Sequence, residues 1–368
     1  MPYRLAAPLA LLFLLTACVD PTPPEFQLEE PFYLAEGRIL AGDNPSEVRL
    51  RASDFTESRL QLLPVPGAVV ISQEAGGAEV TWTETEAGVY QPPAAFRART
   101  GETWSFAIAL PDGTQIASDP ETIPAPVAVE EVTIRFNQES TFSSSLNRFI
   151  PRFELTLDYD DPADETNFYA YDYRYWEDID VCISCERGIL AGLRCVPNTI
   201  NNARRYDYLC DTDECYRISA GGETRYGTDE LSNGSAVRDF PLGAIPFEAY
   251  GGLLVEAQLL SITPEAHRYG RIIQDLTTGN TGLNAVTPAP LDGNVRNLDP
   301  AGRTVLGYLA AAAVATDRSW ILRDFNTGTP LPFDNNIRLQ PVPPPGQAPR
   351  FPCEIPGRTA TRPAGWGE

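Results

Sequence analysis

Lysine is absent from this sequence, histidine occurs once, at His267, and methionine only at Met1. All 28 basic residues are therefore arginine, whose guanidinium is never deprotonated and forks onto carboxylates. A single imidazole excludes metalloprotease, histidine-triad and copper-cluster chemistry that needs several. Beside Ala266 on an expected helix, His267 reads as a surface or packing residue. There is no G-x-S-x-G, H-E-x-x-H, P-loop or G-x-G-x-x-G pattern either. Positive charge is scarce, since 50 acidic residues leave a formal charge of −22. Such a surface repels phosphates, which disfavours nucleic acid and anionic lipid faces as partners. Beyond the first seventeen residues no apolar run is long enough to span a bilayer, which takes about 20 residues. The expected protein is not an enzyme, although a hydrolase built on two carboxylates stays open because 50 acids always include a pair.

Residues 1–17 carry Arg4 and then an almost unbroken apolar run from Leu5 to Leu15, the layout of a signal peptide. Leu15-Thr16-Ala17-Cys18 resembles a bacterial lipobox, which implies acylation of Cys18 and a lipid anchor. Residues 18–30 form a proline-rich tether that holds the folded part away from the lipid surface. Its acids, Asp20, Glu25, Glu29 and Glu30, loosely resemble the signal that sends Bacteroidota lipoproteins to the outer face of the outer membrane. The expected address is the extracellular side of that membrane.

The rest is mainly β. From 31 to 127, Phe32 to Leu40, Val48 to Ala52, Ala68 to Ser72, Ala78 to Thr83 and Thr103 to Leu110 alternate or carry β-branched and aromatic residues. Trp104, Phe106, Ile108 and Leu110 share one face ahead of an Asp112-Gly113 turn. This region reads as an immunoglobulin- or transthyretin-like β-sandwich. After the Pro-rich Ile123–Val127 linker, residues 128–340 form a larger β-rich domain. Strands are expected over Val132 to Phe136 and Arg152 to Tyr159, with a last pair at Val305 to Thr316 and Ser319 to Phe325. One short helix stands out: Thr263 caps it, Pro264 and Glu265 suit its first turn, and Gly279 ends it. The tail, 341–368, is rich in proline and tied back by Cys353.

Besides Cys18 there are six cysteines, Cys182, Cys185, Cys195, Cys210, Cys215 and Cys353. An even number in an exported chain reads as disulfides, including a stapled insertion between Cys182 and Cys215. The alternative is zinc on the Cys182/Cys185 and Cys210/Cys215 pairs. Asn167 to Trp176 puts Tyr169, Tyr171, Tyr173 and Tyr175 on one strand face and Trp176 on the other. Such rings are a platform for a glycan, peptide or partner, or one face is simply core. The acidic stretch before them, Asp158, Asp160, Asp161, Asp164 and Glu165, is an oxygen-rich calcium candidate, against the reading that it is merely solvated.

Taken in order, several short pieces resemble the domain-of-unknown-function 4249 family of surface lipoproteins. They are Ala35 to Ile39, Gly67 to Ile71, Glu86 to Tyr90, Thr100 to Trp104, Asp161-Pro162 with Asn167 to Tyr169, Leu260 to Ala266, Asp292 to Asn297, Val305 to Tyr308, Cys353 and Arg362 to Trp366. His267 stands where the family usually has a tyrosine, and a second cysteine near Cys353 is missing. The resemblance implies a lipoprotein of Bacteroidota encoded beside a TonB-dependent outer-membrane transporter, assisting capture or uptake of a small-molecule, peptide or glycan cargo. It assigns no catalytic residue. The alternative function is a free-standing adhesin or glycan-binding module.

Overall fold

The computed structural model describes residues 31–331 apart from short breaks, the longest at 198–205 and 279–292, together with 353 and 356–368. The leader, Cys18 and the tether, Asp164, most of the tail, and the side chains of Cys182, Cys185, Cys195 and Cys210 lie outside the described residues. The chain is mainly β, and its described residues form several sheets and one helix. No described helix is long and apolar enough to cross a membrane.

In chain order the first strands are β1 (Phe32–Leu40), β2 (Glu47–Thr56), β3 (Arg59–Pro64), β4 (Val69–Glu74), β5 (Glu79–Thr81), β6 (Thr83–Glu86), β7 (Val89–Gln91), β8 (Thr103–Ala109), β9 (Gln115–Ser118) and β10 (Glu121–Thr122). Next come β11 (Val129–Ser143), β12 (Arg148–Asp160), β13 (Phe168–Asp178), β14 (Val181–Glu186), β15 (Gly188–Ala191), β16 (Arg194–Pro197), β17 (Tyr206–Asp211), β18 (Tyr216–Ala220), β19 (Arg225–Thr228), β20 (Ala236–Pro246) and β21 (Gly251–Ser261). Helix α1 (Pro264–Thr278) leads to β22 (Val295–Asn297), β23 (Thr304–Leu306), β24 (Leu309–Arg323) and β25 (Arg358–Thr359).

The largest sheet runs β25-β18-β13-β21-β24-β1-β2-β7-β6, so strands from both halves of the chain share it. β1 lies parallel to β24, with Arg38 opposite Ala310 and Leu40 opposite Ala312. A second sheet, β22-β9-β8-β4-β5, buries the Trp104, Phe106 and Ile108 face as the alternation predicts. Its core draws Trp82, Tyr90 and Ile116 from the first region and Val295, Val305, Leu309 and Ala311 from far along the chain. A third sheet, β11-β12-β20, packs Phe153, Leu155 and Leu157 onto Leu253, Val255 and Leu259 of β21. Being covered on both faces, β21 is apolar nearly throughout.

Where β1 meets the segment entering β24, backbones nearly touch. A Cβ on Gly307, whose φ is +120°, would lie 2.0 Å from the Ala35 carbonyl oxygen, so only glycine fits there. Gly307 also accounts for a correction. The expected strand pair at 305–325 is instead a short β23 followed, past Gly307, by one unbroken β24. No turn forms at 316–319, because Asp317 accepts a hydrogen bond from the Val132 amide (2.8 Å) and Arg318 is held by Glu256.

The helix follows its predicted cap: the Ala266 amide donates to Thr263 Oγ1 at 3.1 Å. At β24's end, Arg323 is 1% exposed. It donates to Glu177 Oε1 (2.7 Å) and to the Gly251 (3.2 Å) and Gly252 (3.1 Å) carbonyls, while Arg217 holds the other Glu177 oxygen. Cys215 is bonded to Cys353 across 138 residues. The tail beyond it adds β25 to β18 and seats Trp366 against Tyr216 and Trp320. In the cysteine-containing insertion, β14 pairs with β17 so that Cys182 stands opposite Cys210 in the backbone register.

Candidate functional site

The tyrosine strand and the acidic stretch meet. β13 is flanked by β21 on one side and by β18 and β19 on the other, so its four tyrosines face the third sheet. Tyr169 and Tyr171 are 1% and 3% exposed, and Tyr171 stacks on Phe240 at 4.1 Å between ring centres. Tyr173 is half-buried, its ring so close to Gly243 that a Cβ there would lie 2.4 Å away. Tyr175 is half-buried beside it. An open platform of four rings is therefore not what β13 presents; the face is core. Trp176, on the opposite face, is buried under Arg174 and Arg318, whose guanidinium carbons stand 5.0 and 5.5 Å from its ring. Both arginines also grip the buried Glu256, each at 2.7 Å through Nε. Burial opposes ionisation of Glu256, but hydrogen bonds from Arg174 and Gln258 hold its carboxyl below the usual range.

The acids of the expected calcium loop part company. Asp158 accepts from the Asp239 amide at 2.7 Å, and Asp160 pairs with Arg238 at 2.7 Å on the surface. Of those described, only Asp161 turns inward: it is 6% exposed, accepts the Tyr169 hydroxyl, and takes the Gly234 amide on its other oxygen at 2.9 Å. Burial and the hydrogen bond to Asp161 push the Tyr169 hydroxyl far upward, keeping it neutral. A second carboxylate that the sequence reading missed, Asp229, is 1% exposed. Its Oδ2 accepts from the Asn167 amide (2.8 Å) and side chain (3.2 Å), whereas Oδ1 has no hydrogen-bond partner. The nearby Asn233-Gly234 turn was the only local signal for it. Among the described residues no three His, Cys, Asp or Glu side chains are grouped to hold a metal.

His267 packs as expected, between Phe168 (5.2 Å) and Tyr226 (6.4 Å), with its pKa lowered by burial. At the start of α1 a cavity of about 360 Å³ is lined by Glu121, Thr263, Glu265, Arg268, Asn294 and Tyr308. Glu121 is buried there and accepts from Thr263 Oγ1 (2.6 Å) and the Tyr308 hydroxyl. Burial raises its pKa against those two bonds.

A cluster of exposed apolar groups lies elsewhere. β11 and β12 remain paired out to Ser143 and Arg148, beyond the end of their third strand at Pro246. The projecting ribbon carries Phe142 and Phe149, edge to face at 5.4 Å, and Leu146, all more than two-fifths exposed. Its root is fastened to the segment after β24 by the Thr329 amide on Gln138. Tyr250 and Phe325, the latter 80% exposed, lie at the same end. β1 enters the sheet beside the start of β24 and these groups follow its finish, about 45 Å of strand away.

A family model, Domain of unknown function (DUF4249), matches residues 19–318. The chain belongs to the DUF4249 family. The match opens directly after Cys18 and covers both halves of this family member, leaving the Cys353 and Trp366 tail beyond it. No curated protein matches the chain.

Proposed function

We propose that this DUF4249 member is a lipid-anchored protein on the outer face of the outer membrane, a non-enzymatic accessory that helps a TonB-dependent transporter capture or take up a nutrient. The observation that carries the reading is the apolar ribbon end. An anchor at Cys18 enters the fold through β1, so Phe142, Leu146 and Phe149 are offered at the opposite end. Residues 138–151 hold one acid, Glu139, and one base, Arg148, on a chain of net charge −22. A neutral, apolar tip on an acidic body suits a protein partner better than solvent.

The test is extraction of native membranes in mild detergent. The wild-type protein should co-purify with a TonB-dependent barrel. Phe142→Ser with Phe149→Ser should cut the recovered barrel at least about tenfold without moving the thermal midpoint of the soluble chain. A lone, monodisperse lipoprotein in the wild-type extract would count against the reading. The exposed rings of Tyr250 and Phe325 favour, as second reading, an adhesin or glycan-binding module. Glycan binding by the soluble chain, lost in Phe325→Ala and unaccompanied by any barrel, would select it.

A further inference from the structure

We propose that the junction of Asp161 and Asp229 binds a calcium ion. Both carboxylates are buried, and among the described residues neither has an arginine or histidine partner. A buried carboxylate is costly unless it is paired, protonated or coordinated to a metal. Asp161 is satisfied on both oxygens, whereas Asp229 leaves Oδ1 without a donor in an almost fully enclosed position.

The surroundings supply oxygens and no competing cation. The Asn167 side chain that touches Asp229 also donates to the Glu165 and Pro162 carbonyls, at 3.1 and 3.4 Å. Asn233 Nδ2 reaches the same Glu165 carbonyl at 3.0 Å, closing the two loops on each other. Asp229 Oδ2 thus shares the Asn167 side-chain amide with two main-chain carbonyls, and Asp161 joins them to the hydroxyls of Tyr169, Tyr159 and Tyr171. Ser261, opposite Tyr169 in the register, carries a buried hydroxyl without a hydrogen-bond partner. Two carboxylates completed by carbonyls and hydroxyls suit calcium, which accepts six to eight irregular oxygen ligands. Magnesium demands a near-ideal octahedron. Neither Asp158 nor Asp160 takes part.

The experiment uses the full-length protein, freed of metal with chelator and returned to buffer with calcium chloride or magnesium chloride. Native mass spectrometry should find one calcium per chain. The thermal midpoint should rise by about 4 °C at a calcium concentration ~100 times the dissociation constant and fall back with chelator. Magnesium should do neither. Asp229→Asn should lose both responses. Should that variant fail to fold, terbium luminescence sensitised by Tyr159 and Tyr169 and quenched by added calcium reads the same site in the wild type. The proposal is overturned if no calcium is retained, if several ions bind without moving the midpoint, or if Asp229→Asn binds as before. A midpoint indifferent to calcium that rises on acidification would show a shared proton instead, and would equally overturn it. None of these outcomes bears on whether a transporter co-purifies.

Discussion

Replacing Arg323 with methionine should be among the most damaging single changes away from any ligand. The side chain is 1% exposed, and its three donating nitrogens each have one acceptor: Glu177 and two main-chain carbonyls. Methionine fills much of the volume, so packing is not the main loss. Removing one partner of a buried ion pair costs roughly 3–5 kcal/mol. Here Glu177 keeps Arg217, which pulls the figure down, while the Gly251 and Gly252 carbonyls each lose a donor, at about 1 kcal/mol each. We expect a loss of about 3–5 kcal/mol, read as a lower urea midpoint with an unchanged slope. In a Glu177→Gln background the same change should cost about 2 kcal/mol less, because the ion pair it breaks is already gone. A single-variant loss under about 1 kcal/mol, or strictly additive variants, would refute the view that this pair joins β13 to the end of β24.

Two further outcomes follow from geometry already described. Breaking Cys215–Cys353 by serine substitution frees a segment of 138 residues and should lower stability by up to about 5 kcal/mol in the chain-entropy account, with hydrogen exchange rising first at Arg358 and Thr359 of β25. Glu121 has a folded pKa raised by burial, so the folded state holds its proton more tightly than the unfolded chain. Its stabilising contribution is full below the ordinary carboxyl pKa and is lost as pH rises through the raised value. Unfolding midpoints of the wild type should therefore fall more steeply than those of Glu121→Gln above about pH 4.5; parallel curves would exclude Glu121 as the source.

The sequence is legible where the signal is local. Alternation marks β8 and its buried face, Thr263 announces α1, and turn residues separate most strands. Contacts between residues far apart leave no such trace. Nothing near Leu309 or Ala311 states that they complete a core begun by Trp82 and Tyr90, because an apolar strand looks the same whichever sheet it joins. The same limit governs the site. Asp161 and Tyr169 are eight residues apart and were both singled out, but Asp229 lies 62 residues beyond Asn167 and is distinguished only by what surrounds it once folded. The tyrosines show the converse. Their alternation is equally that of a platform and of a core, and the Phe240 and Gly243 that decide between them come from β20.

The closure of the first core by Val295, Val305 and Leu309 has a temporal consequence. A chain emerging from a ribosome or threaded through a secretion channel, N-terminus leading, lacks one wall of that core until residues near 310 are delivered. Early segments then wait, extended and unlocked, for a late strand to arrive, so the protein should stay slack through most of its synthesis and become rigid in a single concluding step.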